Sequence, residues 1–308
     1  MENTMQNYAK PKKSKFGKYL FCYFTGNEPE RERICFALSD DGYNFTPING
    51  GNPVIIQKKG TKCMRDPFIL RNENGGYYII ATDMKSSLGW DSNHGVVTWR
   101  SDDLINWYDE TAVDFHIFDS TKNSDKIWAP EAIYDKEEGK YFVYYSVHNN
   151  GSDKALSIWY SYTDDFKSFT EPAELFAPKS GKDAIDADIV EFNGKYYMCY
   201  KDECEKTICQ VVADKLTGPY RECENNTVAC TDHHVEGNCM YRINGTDAFV
   251  MVMDMYCDNQ YFMQQTEDFK TYLPINEKDY SLAFTPRHAS VLQISDEEYS
   301  RLVNHFGK

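Results

Sequence analysis

Basic residues are in short supply in this chain. Lys and Arg number 33 against 48 Asp and Glu, a net charge of −15 over 308 residues. Phosphate-rich partners need a basic surface, so this balance argues against nucleic acid and anionic membranes and suits a neutral substrate. No apolar run approaches the roughly 20 residues that cross a bilayer. The opening MENTMQNYAKPKKSKFGKYL carries lysines but no apolar core of a signal peptide. A cytoplasmic location is therefore expected, with a trimmed leader left open. The ten cysteines include no CxxC pair, and several lie in apolar runs such as YLFCYF and YYMCYKD. There Cys behaves as a small hydrophobe, and reduced thiols are expected rather than disulfides. CTDHH at 230–234 lacks a second ligand pair at zinc spacing. Helical signals are few; DEEYSRLVNHF (296–306) is amphipathic and predicts a short C-terminal helix.

Aromatic residues, by contrast, are abundant: 15% of the chain, with 23 Tyr and 18 Phe, inside an apolar total of 41%. Such residues favour strands, and tyrosine, flat with a polar tip, also suits sugar surfaces. Two repeated patterns organise them. A polar–acidic turn followed by an aromatic recurs as SDDGYNF (39–45), SDDLINW (101–107), YTDDFKSF (162–169), ADKLTGPY (213–220) and TEDFKTY (266–272). Four longer segments read as hairpins that begin with an acid: RDPFILRNENGGYYIIATD (65–83), APEAIYDKEEGKYFVYYS (129–146), DADIVEFNGKYYMCYKD (186–202) and EGNCMYRINGTDAFVMVMD (236–254). Their turns carry the Gly or Asn that a positive φ requires.

The leading acids fall at 66, 131, 186 and 236, spacings of 65, 55 and 50 residues that suit four-stranded propeller blades. A fifth strand start, PRHASVLQI (286–294), has no hairpin after it, while KYLFCYFTG (18–26) and RICFALS (33–39) wait at the other end. The expectation is an all-β, five-bladed β-propeller over residues 1–308, in one domain with 1–17 as a flexible tail. Its last blade is closed by N-terminal strands plus the C-terminal strand, which removes two exposed edges. The alternative, a two-sheet sandwich, gives no reason for turns to repeat at blade spacing.

Inner strands of a propeller run the same way around one axis, so their N-terminal ends surround one mouth of the channel. Asp66, Glu131, Asp186 (with Asp188 behind it) and Glu236 then converge there, joined by Arg287 and His288. Clustered, partly buried carboxyls raise one another's pKa and are candidates for acid–base chemistry. The competing reading is that each acid caps a turn or pairs with a nearby base. Positions two apart in a strand face the same side, so facing does not separate Asp186 from Asp188.

At RDPFI, WAPE (128–131), AIDADIV (184–190), VEGN (235–238) and PRHAS (286–290), the chain resembles glycoside hydrolase family 43, the five-bladed arabinofuranosidases and xylosidases. The resemblance runs roughly from Tyr19 to Ile294. It implies Asp66 as the general base that activates water and Glu236 as the general acid. It implies Asp186 as the third carboxylate that tunes and orients the acid, Arg287 as a ligand of sugar hydroxyls, and inversion at the anomeric carbon. DADI departs from the family's more frequent Asp-Pro, so Asp188 competes with Asp186. Inversion asks for two carboxyls roughly 6.5–9.5 Å apart, with water on the far face of the sugar, which strand mouths on different blades can supply.

Sugar contacts are expected from Trp128, which adjoins the channel, and from Phe24, Trp90 and Tyr256, with Glu131 hydrogen-bonding substrate or serving architecture. His288 is a candidate ligand for a channel calcium or water, as in some relatives; no cofactor is otherwise required. The expected activity is release of a terminal α-L-arabinofuranosyl or β-D-xylosyl residue from a small plant-type oligosaccharide, with β-galactofuranoside a rival. Two other classes stay open, a five-bladed glycoside phosphorylase and a non-catalytic sugar-binding propeller. Oligomeric state is not legible.

Overall fold

The computed structural model describes residues 8–307. Its strands form five small sheets arranged in a ring, a five-bladed β-propeller. Blade one comprises Met64–Arg71, Tyr77–Asp83, Gly95–Ser101 and Trp107–Asp114. Blade two comprises Ser124–Asp135, Lys140–Asn149, Ser157–Thr163 and Ala173–Phe176. Blade three comprises Ala184–Phe192, Lys195–Asp202, Thr207–Ala213 and Arg221–Thr227, and blade four Glu236–Arg242, Phe249–Met255, Gln260–Thr266 and Leu273–Pro274. In each, the first strand is innermost and the rest follow outward as antiparallel neighbours.

The fifth blade joins the two ends of the chain. Ala289–Ile294 is its inner strand and pairs antiparallel with Lys18–Tyr23, followed by Cys35–Ser39 and Asn44–Pro47. A short segment, Ser281–Leu282, adds a parallel edge outside Asn44–Pro47. The helix Asp296–Phe306 follows directly, started by a capping box between Ser295 and Glu298. Arg71 of blade one donates to Glu298 at 2.6 Å, which ties the helix across the closure. Part of the expected tail lies against the ring. Tyr8 packs edge-on to Tyr43, Ala9 N–H donates to Gln265, and Lys12 N–H donates to the Asn244 carbonyl. The first seven residues of that tail lie outside the described residues.

The reason the strands read as unbroken apolar runs is that both faces of a blade are covered. In Lys18–Tyr23, Tyr19, Phe21 and Tyr23 pack against Tyr241, Val250 and Val252 of blade four. Leu20 and Cys22 face the other way, onto Ile69, Ile79 and Ala81 of blade one. Three further apolar clusters fill the remaining blade interfaces. Each fully buried Phe or Leu contributes about 1.5–3 kcal/mol relative to exposure.

The repeated acidic turn has a common physical basis in four blades. A Ser or Thr hydroxyl accepts two backbone N–H groups, and the Asp two residues on accepts two more. Ser39 with Asp41, Ser101 with Asp103, Thr163 with Asp165 and Thr266 with Asp268 all do this. Four backbone donors per turn, sixteen over the four turns, are satisfied this way. Blade three departs from the pattern; ADKLTGPY turns through a cis Gly218–Pro219 bond instead.

Candidate active site

Four inner strands carry the same irregularity. Pairing to the second strand slips between Arg65 and Phe68, Trp128 and Glu131, Ile185 and Asp188, and Glu236 and Cys239. The first extra residue of each bulge is left-handed: Asp66 (φ 51°), Ala129 (φ 48°), Asp186 (φ 53°) and Gly237 (φ 56°). Bulges re-aim side chains, and here they separate carboxyls that strand alternation alone treats as equivalent. Asp66 and Asp186 occupy the left-handed position. Glu236 stands one residue before it, and Glu131 and Asp188 stand two residues after.

The consequence is two levels within the channel. Asp66, Asp186 and Glu236 line one small pocket of about 70 Å³, together with His288, Phe24, Arg65, Met84, Trp90, Trp128 and Ile185. Glu131 and Asp188 are not among its walls. Glu131 is a correction to its expected place at the mouth: it is buried and accepts the hydroxyl of Tyr144 at 2.8 Å. Burial, then the Asp188 carboxylate, pushes its carboxyl well above the usual range. Asp188 accepts the Met240 N–H and lines a separate cavity of about 400 Å³ towards the opposite end of the channel. The bulge thus separates Asp186 from Asp188, which strand alternation could not do.

The pocket carboxyls are tied down from neighbouring blades. Asp66 accepts the Thr82 hydroxyl at 2.8 Å, and Thr82 in turn accepts the Ala129 N–H of blade two. Asp186 accepts the Gly237 N–H of blade four at 2.9 Å. His288 Nδ1 lies 3.5 Å from Asp66 Oδ1 and 3.8 Å from Asp186 Oδ1. Glu236 is held on both oxygens: Arg287 Nη2 at 2.8 Å from Oε1 and Lys201 Nζ at 2.8 Å from Oε2. Arg287 is outside the pocket wall; its Nε also bonds to buried Asp254 at 2.6 Å.

These contacts set distinct protonation states. Burial works against the charged form of Asp66, but the hydrogen bond and charge of His288 outweigh it and hold this carboxyl below its usual value. Burial raises Asp186 to about 6, with His288 opposing and Glu236 adding to the rise. Burial would discharge His288, yet Asp186 and Asp66 lift it to about 9. Burial takes Asp254 to about 7 against the pull of Arg287.

The aromatic candidates divide. Trp128 meets Trp90 edge-on, with ring centroids 6.4 Å apart. Arg65 lies between Trp90 and Phe24, 4.9 and 4.6 Å from their rings, and bonds to Asn27 and to wholly buried Glu32. Phe24, Trp90 and Trp128 therefore form a wall. Tyr256 is not in it; its ring lies 4.7 Å from Lys201 Nζ, behind Glu236. Lys201, Asp254 and Glu32 escaped sequence reasoning. Lys201 and Asp254 end second strands, where a charge inside YYMCYKD or VMVMD was the available signal.

His288 Nδ1 faces the Asp66 and Asp186 carboxylates, which strengthen its hold on a proton. Among the described residues no group of three or more His, Cys, Asp or Glu is placed to hold a metal ion.

Comparison with known proteins places this site in context. A family model described as "Probable glycosyl hydrolase domain", related to glycosyl hydrolase family 43, matches residues 14–300. An alpha-L-arabinofuranosidase of Bifidobacterium longum subsp. longum is 32% identical over 200 residues, 58% of this chain. That stretch is 18% of the longer relative. Among solved structures, a thermostable family-43 glycoside hydrolase matches with TM-score 0.56 at 19% identity, over 74% of this chain and 78% of its own. A mutant family-43 protein from Bacillus licheniformis matches with TM-score 0.60 at 14% identity, over 91% of this chain and 55% of its own. Five blades in a ring, with three carboxyls meeting in one pocket, agree with those matches: the chain belongs to the glycoside hydrolase family 43 group of glycosidases.

Proposed function

We propose that the protein is an inverting exo-glycosidase that removes a terminal α-L-arabinofuranosyl residue from a small plant-type oligosaccharide. The observation that carries this reading is the meeting of Asp66, Asp186 and Glu236 in one small pocket. Asp66 and Glu236 come from blades that do not adjoin, as a base and an acid on opposite faces of a sugar require. Asp66, kept ionised by His288, takes the proton of the attacking water. Glu236 protonates the leaving oxygen, and Asp186, tied to the next residue, orients it. Trp128 and Trp90 present flat surfaces to the sugar, with Phe24 behind Arg65. The 32% identical relative supports arabinofuranose over β-xylose and β-galactofuranose.

The phosphorylase reading would need cations directed at phosphate. Arg287 is taken up by Glu236 and Asp254, and Lys201 by Glu236 and Glu203. The test is a panel of 4-nitrophenyl pentosides and hexosides, with and without phosphate, with NMR following the product anomer. Fast release of the β-anomer from the α-L-arabinofuranoside, independent of phosphate, is expected. A retained anomer, a phosphate requirement or no turnover would overturn the reading.

A further inference from the structure

Lys201 belongs to the second strand of blade three, opposite Ile185, and its side chain is only 3% exposed. A buried ammonium is costly unless carboxylates surround it. This one lies 2.8 Å from Glu236 Oε2 and 2.5 Å from Glu203 Oε2, over the ring of Tyr256. Burial works against its charge, but Glu236 and Asp186 more than offset this and strengthen its hold on the proton. It is outside the pocket wall, so it acts on substrate only through Glu236.

The two cations on Glu236 are not equivalent. Arg287 is a rigid fork shared with buried Asp254. Lys201 is a flexible stem with a second carboxylate already in reach. With Oε1 on Arg287 and Oε2 on Lys201, each oxygen of Glu236 already accepts a charge-assisted hydrogen bond.

We propose that Lys201 is a positioning residue that holds Oε2 of Glu236 and, by resting on Glu203 and Tyr256, yields it as the proton is donated. This rests on Glu236 being the acid. The other charged groups facing Glu236 are Asp186 of blade three, Asp254 of its own blade, Arg287 and His288 of the closing blade, and Asp66 across the pocket. Each is still present when Lys201 is replaced.

Lys201→Met removes the hold on Oε2 and keeps an apolar stem of similar length. The experiment is kcat/KM on methyl α-L-arabinofuranoside, a poor leaving group, and on its 4-nitrophenyl analogue. Lys201→Met is expected to lower the value for the methyl glycoside by about 10- to 100-fold and that for the 4-nitrophenyl glycoside far less. Lys201→Arg, which keeps the cation, is expected to restore most of the methyl-glycoside rate. Lys201→Gln serves if the Met variant does not fold, as judged by its melting curve. In a Glu236→Gln background, Lys201→Met should add no further kinetic loss, because the group it acts through is gone. No loss, an equal loss on the two leaving groups, or a full additional loss in that background overturns the proposal while the acid assignment stands. If Glu236→Gln alone slows both leaving groups equally, the acid assignment falls and the proposal with it.

Discussion

Gly237 donates its backbone N–H to Asp186 Oδ2 at 2.9 Å, and a Cβ built on Gly237 would come within 2.7 Å of His288 Cγ. One residue thus fixes the spacing between two blades and the imidazole beside them. With φ at 56°, it also occupies a conformation that side chains resist. Gly237→Ala is expected to cost about 2–4 kcal/mol of stability, combining backbone strain with displacement of His288. Gly194→Ala is the control, with φ at 72° and nothing within 4 Å of its Cβ; it should cost about 1–2 kcal/mol and leave turnover intact. Denaturant melts and kcat for both variants check this.

Asp66→Asn removes the group that accepts the water's proton while keeping the size of the side chain and its contact with Thr82. Turnover should drop by about 10²–10⁴-fold on good and poor leaving groups alike. Wild-type turnover of either substrate would show the base to be elsewhere.

Glu236→Ala should separate substrates by leaving group. A poor leaving group needs the proton and should lose about 10²–10⁴-fold, whereas activated aryl glycosides keep much of their rate. A series of aryl arabinofuranosides of graded acidity reads this directly as a steeper dependence on leaving-group pKa.

His288 gives stability a pH signature. Its value rises from 6.5 to about 9 in the folded protein. The folded state holds this proton more tightly, so the contribution is complete below about pH 6.5 and is lost as pH climbs through 9. Asp186 and Asp254, raised to about 6 and 7, also lower stability as pH rises, but in the window below 7. Between pH 7 and 9 the melting temperature should therefore fall, by an equivalent of about 1–3 kcal/mol. His288→Gln should flatten that slope, as titration of the melting temperature will test.

The ring, its closure and the C-terminal helix were legible because each rests on local pattern. Alternating and continuous apolar runs mark strands, and SDD-type turns mark every blade but the third. The meeting of Asp66, Asp186 and Glu236 in one pocket was legible because motif order survives the bulge. Glu131 was misplaced for the opposite reason: a two-residue slip at a left-handed backbone position is invisible to a reading that assumes strict alternation. Lys201 and Asp254 were missed because they enter from second strands, and their partnership with Glu236 and Arg287 exists only once blades three, four and five stand side by side.

The closing blade has a consequence for the order of assembly. Arg287 and His288 immediately precede Ala289–Ile294, the strand that seals the ring against Lys18–Tyr23. Lys201 can reach Glu236 once blades three and four pack, but the imidazole beside Asp66 and Asp186 and the guanidinium on Glu236 arrive only with that strand. The pocket therefore takes its final charge balance when the ring closes.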